Sequence, residues 1–380
     1  MLGLFLWTFA KMLGQHVSGE GAWRNALQQI QPDAVAWIRE EALDPSLVSE
    51  YRDAFHALGI PVRLETELTG GEALKAWSVL PSLLDMFESS GLTRRSVVIT
   101  TGGGALSDAV AFAASVWKRG MPVAHIPTTT LAAVDAAWGG KTGMNWGAVK
   151  NQVGTFHPPT FVHVDSRWMK TLSPREFQAG LAEAAKHAMI DALVDLTATP
   201  SYADLIQGSG SSVDAWNTWL AESAAVKMRV VAQDPEEVGL RSVLNLGHTV
   251  GHALESACLS TSSPLLHGEA VAVGLAFALW EAEHPALCEE QLTQDAAQEA
   301  AAFRAWLNHQ IPVSRTDWPA AGVLWAFMMQ DKKNVGNEVR DVAWRGTGTL
   351  IWPASWKKGA FEATWNDFLR CWNESSHPSD

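Results

Sequence analysis

The first half of the chain alternates short apolar runs with longer helical stretches, and this alternation restricts the fold more than any other feature. The runs are rich in β-branched residues and lie at residues 34–38, 60–64, 96–100, 122–126 and 160–165. Strands that alternate with helices predict parallel βαβ units, with helices on both faces of one sheet. We therefore expect an α/β domain. The apolar segment 1–10 is predicted to be its first strand, because it is far shorter than the roughly 20 residues of a membrane span.

The second half of the chain has a different pattern. Beyond residues 171–174 it contains long stretches rich in Ala, Leu, Glu and Gln, as at 270–283 and 292–309, and strand signals are scarce. Such stretches predict helices. A chain of 380 residues also exceeds what one hydrophobic core usually supports. We therefore predict two domains, an α/β domain at residues 1–170 and an all-α domain at residues 171–380.

The charge balance argues against some classes of partner. The chain has 28 basic and 41 acidic residues, which gives a net charge of -13. Nucleic acid and anionic membranes are therefore not expected as partners, and an anionic small ligand would need a local basic pocket. Cys258, Cys288 and Cys371 are too few and too far apart for a disulfide framework or a zinc site. We expect a reducing compartment, by default the cytoplasm.

A glycine triplet follows one of the predicted strands. Residues 97–101 lead into Gly102-Gly103-Gly104, and residues 105–118 then have a helical pattern. Glycines between a strand and a helix let backbone amides approach a phosphate, and the helix N-terminus adds partial positive charge. A nucleotide pyrophosphate would fit, although a tight turn alone would also explain the triplet. Asp108 lies in the first helical turn, where an acid has a simple explanation as compensation of the helix dipole. Upstream, Glu72 and Lys75 have an equally simple explanation as a solvated ion pair.

The segment 126–145 contains several residues that suit ligand binding. It combines hydroxyl groups with Asp135, which is flanked by Val134 and Ala136, and with Lys141 in a Gly-Gly-Lys-Thr turn. A buried aspartate is costly unless a ligand or a lysine lies near it. The turn is not a Walker A loop, since the required upstream glycine is missing. We interpret the segment, together with Lys150-Asn151, as a ligand-binding loop.

Two histidines four residues apart, His248 and His252, would share one face of a helix. That spacing suits metal ligands, although packing would also explain a lone pair. Glu183 lies among Leu and Ala, and His267 begins another helical stretch, with Glu269 as a rival ligand or a simple first-turn acid. Glu183, His248 and His267 would form a set of two histidines and one carboxylate with an open coordination position, which is typical of catalytic zinc. The basic residues grouped with this set are Lys186, Lys227, Arg241 and His252.

These motifs together resemble the 3-dehydroquinate synthases. The resemblance rests on residues 102–165, 180–183 and 244–252, and it extends over 71–275 with Asp331-Lys332-Lys333. It implies an α/β, Rossmann-like NAD-binding N-terminal domain and an all-α metal-binding C-terminal domain. It also implies NAD and Zn2+ or Co2+ as cofactors, a small anionic sugar phosphate as substrate, and a homodimer.

The resemblance assigns roles to individual residues. The zinc ligands match Glu183, His248 and His267. The NAD contacts match Glu72, Lys75, Gly103, Gly104, Asp108, Thr128, Thr129, Lys141 and Lys150. The substrate contacts match Asp135, Lys141, Lys150, Asn151, Lys186, Lys227, Arg241, Asn245, His252 and one lysine of Lys332-Lys333. Arg119 matches an arginine that the other subunit of the family's homodimer contributes.

The implied substrate is 3-deoxy-D-arabino-heptulosonate 7-phosphate, which is converted to 3-dehydroquinate and phosphate on the route to aromatic amino acids. The C5 hydroxyl is oxidised transiently by NAD with the metal as Lewis acid, which acidifies C6-H and allows phosphate elimination. Return of the hydride, ring opening and an internal aldol closure follow. NAD is thus regenerated rather than consumed.

Three departures from the family pattern bear on fine specificity. Ser107 replaces an expected glycine, His187 replaces an expected tyrosine, and residues 145–150 lack an expected proline. The alternatives are a sister cyclase acting on sedoheptulose 7-phosphate, a metal-dependent polyol dehydrogenase of the glycerol dehydrogenase type, and a binding protein without catalysis. Lys227 and Arg241, which would hold a carboxylate, argue against the first, since sedoheptulose 7-phosphate has no carboxylate.

Overall fold

A computed structural model describes residues 15–17, 21–147, 149–208, 210–259, 261–287, 291–313, 317–331, 334 and 336–376. The predicted strand at 1–10 and the pair Lys332-Lys333 lie outside the described residues. The chain divides into two compact units: the first comprises residues up to Ser173 with Ala198–Glu236, and the second comprises Pro174–Thr197 with the rest of the chain from Glu237. Residues 198–236 therefore belong to the first unit, whereas the sequence places them in the second domain.

The first unit contains a six-stranded sheet in which every pairing is parallel. Its strands, in the spatial order β1-β8-β5-β4-β2-β3, are β1 (Gln15–Val17), β8 (Phe161–His163), β5 (Val123–Pro127), β4 (Val97–Gly102), β2 (Val35–Glu40) and β3 (Val62–Leu68). The parallel sheet predicted from the alternating pattern is confirmed. A separate antiparallel hairpin joins β6 (Met144–Trp146) to β7 (Val149–Val153).

Helices cover both faces of this sheet. On one face lie α1 (Ala22–Ile30) and α2 (Pro45–Ala57), and on the other lie α3 (Val79–Ser89) and α4 (Gly104–Val116). The unit also contains α6 (Tyr202–Gln207) and α7 (Gly210–Gln233). Because side chains alternate along a strand, Val97 and Ile99 join one buried apolar cluster while Val98 joins the other. The first of these clusters contains Trp37 and the second contains Phe87. Burial on both faces explains why the strands are almost continuously apolar.

The second unit is mainly helical, as predicted. Its helices are α5 (Pro174–Ile190), α8 (His248–Cys258), α9 (His267–Glu283), α10 (Gln294–Gln310), α11 (Ala321–Met328) and α12 (Lys358–Ser376). One part of the prediction is wrong, because the unit is not all helix. The strands β9 (Val339–Trp344) and β10 (Leu350–Trp356) form an antiparallel pair with an irregularity between Ile351 and Ala354.

Aromatic residues fill part of the core of the second unit. The Phe277 ring lies 5.4–5.9 Å, centroid to centroid, from the rings of Trp356, Phe361, Trp365 and Phe368. Such ring pairs add to the stabilisation that comes from burying their large apolar surfaces. Several of the 19 tryptophans of the sequence are thereby explained as packing residues. Among the described residues, none of the helices combines the length and apolarity needed to span a bilayer.

The buried His125 makes the stability of the first unit depend on pH. Its ring lies in β5, with Nδ1 2.7 Å from Thr100 Oγ1. Burial lowers the pKa of His125 from 6.5 to about 3. Because the folded pKa lies below the unfolded value, the neutral ring stabilises the unit above about pH 6.5. This contribution is lost as the pH falls from there toward 3.

We predict that His125→Asn, which cannot take up a proton, removes this part of the pH dependence. Between pH 6.5 and pH 5.5 the wild type should lose about 1 kcal/mol more unfolding free energy than the variant, since only the unfolded wild type gains a proton there. Urea unfolding of both proteins at the two pH values measures the difference. Equal losses in the two proteins would contradict the prediction.

Candidate functional site

The glycine triplet lies at the carboxyl end of the central strand β4, where α4 begins. Gly103 has an extended backbone, and its N–H donates to Glu40 Oε1 at 3.0 Å. A Cβ on Gly102 would lie 2.6 Å from Leu106 Cδ2, and one on Gly104 would lie 3.0 Å from Ala136 Cβ. Added side chains would therefore crowd neighbouring residues at this turn, and the turn offers an amide that already binds a carboxylate. Both features suit the phosphate-binding role predicted for this turn.

Glu40 is a residue that the sequence reasoning missed. It is the last residue of β2, the strand next to β4, so its carboxylate reaches the same edge of the sheet as the glycine turn. In dinucleotide-binding sheets an acidic residue near this edge accepts hydrogen bonds from ribose hydroxyls. The sequence feature that could have identified Glu40 is an acidic residue at the end of a buried apolar strand, and the prediction did not use it.

Lys75 and Asp108 form an ion pair next to this turn. Lys75 Nζ lies 2.6 Å from Asp108 Oδ2, and Lys75 is buried. Burial raises the pKa of Asp108, although Lys75 opposes the increase. The structure thus brings together two of the predicted cofactor contacts. Ser107, at the position of the expected glycine, fits the helix because its hydroxyl donates to Gly104 O at 3.0 Å.

The predicted ligand-binding loop after β5 contains a short π-helix at residues 132–136. Thr128 N donates to Gly102 O at 3.0 Å, and Thr129 Oγ1 accepts from Ala132 N at 3.1 Å, so the loop starts beside the glycine turn. π-Helical turns are rare and occur frequently at functional sites. Asp135 lies in the π-helix. Lys227 Nζ lies 2.6 Å from its carbonyl oxygen and 3.1 Å from its Oδ2, which supplies the lysine that a half-buried aspartate requires.

The β6–β7 hairpin is linked to the turn at residues 72–75 by Asn145. Its Nδ2 donates to Glu72 Oε1 at 2.8 Å, and its Oδ1 accepts from Asn151 N at 2.9 Å. Asn151 has φ 54°, a left-handed conformation that needs local support in a non-glycine residue. The sequence reasoning also missed Asn145. It links one predicted cofactor contact with one predicted substrate contact.

Three predicted site residues of the first unit are exposed. Lys141 precedes β6, Lys150 lies within β7, and Arg119 follows α4 in a turn with φ 67°. The structure places none of these side chains in a closed pocket. Their roles remain predictions.

In the second unit, three helices bring the predicted metal ligands together. Glu183 of α5 is completely buried, and its Oε1 lies 3.2 Å from His248 Nε2 and 3.6 Å from His267 Nε2. Among the residues that the structure describes, neither oxygen of Glu183 has a well-aligned hydrogen bond. One ring nitrogen from each of His248, His252 and His267 lies within 4.8 Å of the others. Two imidazoles and a buried carboxylate fit a borderline divalent cation such as Zn2+.

The electrostatics of this cluster favour a charged carboxylate. Burial alone would raise the pKa of Glu183, but Lys186 and His248 hold it well below its usual range. Lys186 lies one helical turn along α5 and pairs with Glu183 Oε2. Burial lowers the pKa of His248, so its ring is held neutral, as a metal ligand must be. Burial also acts to lower the pKa of His267, but the carboxylates of Glu183 and Glu255 outweigh it and raise the pKa to about 10.

Glycines permit this close approach of the helices. A Cβ on Gly268 would lie 1.7 Å from Ala179 O of α5, and one on Gly274 would lie 2.0 Å from Gly247 O. Gly247 has φ 74° and precedes the first residue of α8, His248. Side chains at these positions would push α9 away from α5 and α8. The glycines therefore set the spacing of Glu183, His248 and His267.

Glu269 has a structural role that accounts for its position. Its Oε2 accepts from Leu266 N at 2.8 Å at the start of α9, and its two oxygens each lie 2.6 Å from Arg175 nitrogens. Leu266 has no side-chain acceptor, so only the carboxylate half of a capping box is present. Glu269 is thus engaged as a helix cap and ion-pair partner. The alternative of Glu269 as a metal ligand is not favoured.

The other predicted site residues of the second unit, Arg241, Asn245 and His252, lie close to His248 in the sequence and differ in burial. Arg241 is 1% exposed, His252 is exposed, and Asn245 donates to Ser242 O at 3.1 Å. His187, at the position of the expected tyrosine, is completely buried in α5. Lys227 belongs to the first unit and Arg241 to the second, so their joint binding of one carboxylate remains a prediction.

The chain matches known protein families and individual proteins over most of its length. Residues 65–179 match the family model described as 3-dehydroquinate synthase N-terminal, and residues 180–334 match the one described as 3-dehydroquinate synthase C-terminal. A 3-dehydroquinate synthase from Cereibacter sphaeroides is 35% identical over 320 residues, which cover 83% of this chain and 83% of that protein.

Two solved structures are similar in fold. A 2-deoxy-scyllo-inosose synthase complexed with carbaglucose-6-phosphate, NAD+ and Co2+ is 23% identical, with a TM-score of 0.77 and coverage of 94% of this chain and 98% of that chain. A 2-epi-5-epi-valiolone synthase from Streptomyces hygroscopicus with NAD+ and Zn2+ bound is 24% identical, with a TM-score of 0.75 and coverage of 94% and 97%. At these identities the similarity shows a shared fold alone.

We predict that Gly268→Ala and Gly274→Ala each lower the free energy of unfolding by about 3 kcal/mol or more, because each added Cβ overlaps a backbone oxygen. Thermal unfolding followed by circular dichroism measures the effect. Gly359→Ala in α12 is the matched control, since its Cβ meets nothing within 4 Å, and it should be neutral or slightly stabilising. Near-wild-type stability of Gly268→Ala would show that α9 can shift without penalty.

Proposed function

The chain belongs to the 3-dehydroquinate synthase family, and we propose that it converts 3-deoxy-D-arabino-heptulosonate 7-phosphate to 3-dehydroquinate with release of phosphate. The enzyme is then a carbon-oxygen lyase of aromatic amino acid biosynthesis that uses NAD and a divalent metal without consuming NAD. The observation that carries the proposal is the buried Glu183 with His248 and His267 on three closely packed helices.

In this proposal Glu183, His248 and His267 hold Zn2+ or Co2+. When bound, the metal supplies Lewis acidity to the substrate oxygens beside the reacting carbon. The complete burial of this carboxylate beside two histidines supports this role, because a buried charge is costly unless opposite charge lies next to it. Lys186, already paired with Glu183, keeps that carboxylate ionised and therefore able to bind the cation.

The first unit is proposed to bind NAD, which accepts a hydride from the substrate and returns it. The glycine turn at Gly103 and Gly104 would hold the pyrophosphate, with Thr128 and Thr129 beside it. Glu40 would accept hydrogen bonds from a ribose. The residues proposed to complete the cofactor site are Glu72, Lys75, Asp108, Lys141 and Lys150.

The substrate has a phosphate and a carboxylate, and the proposed contacts are mostly cationic or amide groups. Lys227 and Arg241 are proposed to hold the carboxylate. The other proposed contacts are Asp135, Lys141, Lys150, Asn151, Lys186, Asn245 and His252. Charged hydrogen bonds to both ends of the substrate would orient the reacting carbons and exclude water. The ion pair between Lys227 and Asp135 supports this, since it already holds the lysine beside the predicted ligand loop.

We further propose a cytoplasmic homodimer in which Arg119 of each copy contributes to the other copy's site. The exposure of Arg119 and its left-handed turn support the idea of an arginine presented outward.

We predict that the protein releases inorganic phosphate from 3-deoxy-D-arabino-heptulosonate 7-phosphate only when both NAD and a divalent metal are present. Exhaustive chelation should abolish release, and adding back Zn2+ or Co2+ should restore it, because the proposed ligands Glu183, His248 and His267 would again hold the Lewis acid. A parallel assay with sedoheptulose 7-phosphate should give little release, since Lys227 and Arg241 would lack a carboxylate partner. Full activity after chelation would refute the metal role.

The same assay separates the rival functions. Preferential phosphate release from sedoheptulose 7-phosphate would identify a sister cyclase. Steady accumulation of NADH with a polyol would identify a dehydrogenase of the glycerol dehydrogenase type. The first outcome is not expected, because the predicted carboxylate contacts Lys227 and Arg241 are both present. The second is not expected, because the chain matches the family models of 3-dehydroquinate synthases.

We also predict that Arg241→Ala reduces kcat/KM for the heptulosonate phosphate by about a hundredfold or more, since a charged hydrogen bond to a desolvated carboxylate is lost. Arg241→Lys should recover part of the rate, which would separate loss of charge from loss of fold at this buried position. Arg370→Ala, on an exposed helix surface, is the control and should behave as the wild type. Near-normal kinetics of Arg241→Ala would refute the carboxylate role.

A further inference from the structure

Helix α8 presents three polar residues on one face. His248, His252 and Glu255 are spaced by four and three residues, so they lie one above another along the helix. Two of them are the predicted metal ligand and a predicted substrate contact. The third, Glu255, has no assigned role in the reaction.

Glu255 contacts the metal ligand that comes from the next helix. Its Oε2 lies 2.9 Å from His267 Nδ1, and its side chain is 16% exposed. His267 is the first residue of α9, and its side chain is 31% exposed. The carboxylate therefore supplies a fixed hydrogen-bond partner for a ring that is not fully enclosed by its neighbours.

The hydrogen bond also selects which ring nitrogen faces the cluster. In the neutral ring that a metal requires, an Nδ1–H that donates to Glu255 would leave the lone pair on Nε2, and Nε2 is the atom that lies 3.6 Å from Glu183 Oε1. His248 has a different outer partner, because its Nδ1 lies 3.1 Å from the carbonyl oxygen of Leu246. The two predicted ligands thus differ: one is backed by a neutral carbonyl and the other by a carboxylate, which forms the stronger hydrogen bond.

We propose that Glu255 is a positioning residue that orients His267 for the metal and strengthens it as a ligand. This inference rests on the proposed function, in which His267 binds the cation. Outer carboxylates of this kind fix the ring orientation and raise the basicity of the ligating nitrogen, and their removal typically weakens metal binding 10- to 100-fold. Helix α8 would then carry one ligand and support a second.

The test measures metal affinity rather than turnover. Zn2+ is titrated, in a chelator buffer without NAD or substrate, into the metal-free wild type and the metal-free variants Glu255→Gln and Glu255→Ala. Circular dichroism checks that each protein is folded. We expect Glu255→Ala to weaken Zn2+ binding by about 10- to 100-fold, and Glu255→Gln to weaken it less, because the amide oxygen still accepts the hydrogen bond. Asp367→Asn, which removes an exposed carboxylate from the surface of α12, should leave the affinity unchanged.

A spectroscopic measurement separates positioning from general destabilisation. The visible absorption of Co2+ bound in place of Zn2+ depends on ligand orientation, so it should change in both Glu255 variants and not in Asp367→Asn. Wild-type affinity and spectrum in both Glu255 variants would overturn the inference while leaving the proposed function intact. Failure of the wild type itself to bind either metal would instead count against the proposed function.

Discussion

The second unit depends on backbone contacts between helices that leave no room for side chains. Gly268 packs against the carbonyl of Ala179, and Gly274 packs against the carbonyl of Gly247. These contacts fix α9 against both α5 and α8. Protein interiors are packed densely enough that a single added carbon at such a contact must displace a helix. These backbone contacts therefore constrain the separation of Glu183, His248 and His267.

That packing brings a full negative charge into a dry interior, and the neighbouring residues must compensate it. Taking a carboxylate such as Glu183 out of water costs several kcal/mol unless opposite charge lies beside it. Lys186 provides one such charge from the same helix, and the histidines face the other oxygen. A cluster with this composition is expensive as a purely structural element, since well-packed apolar residues would be as stable. Its presence is therefore better explained by cation binding than by stability.

Local patterns predicted the sheet and the ligand set, whereas contacts between distant segments were not predictable. The strands at 34–38 and 96–100 were visible because burial on both faces leaves continuous apolar runs. The hairpin of β9 and β10 was not, because its residues 339–356 mix tryptophan, arginine and glycine without a clear alternation. Glu40 and Asn145 were missed for a related reason. Each acts through a partner more than 60 residues away, which no spacing rule in one sequence reveals.

The charge pattern of the chain bears on how it recognises an anion. The protein has a net charge of -13, and the buried lysines assigned to the site are already paired: Lys75 with Asp108, Lys186 with Glu183 and Lys227 with Asp135. Buried lysines need such partners, so none of these three ammonium groups is an unpaired positive charge. An anionic substrate must then compete with these carboxylates for the same ammonium groups. Recognition would accordingly depend on directed, charge-assisted hydrogen bonds at short range, and long-range attraction to the protein would contribute little.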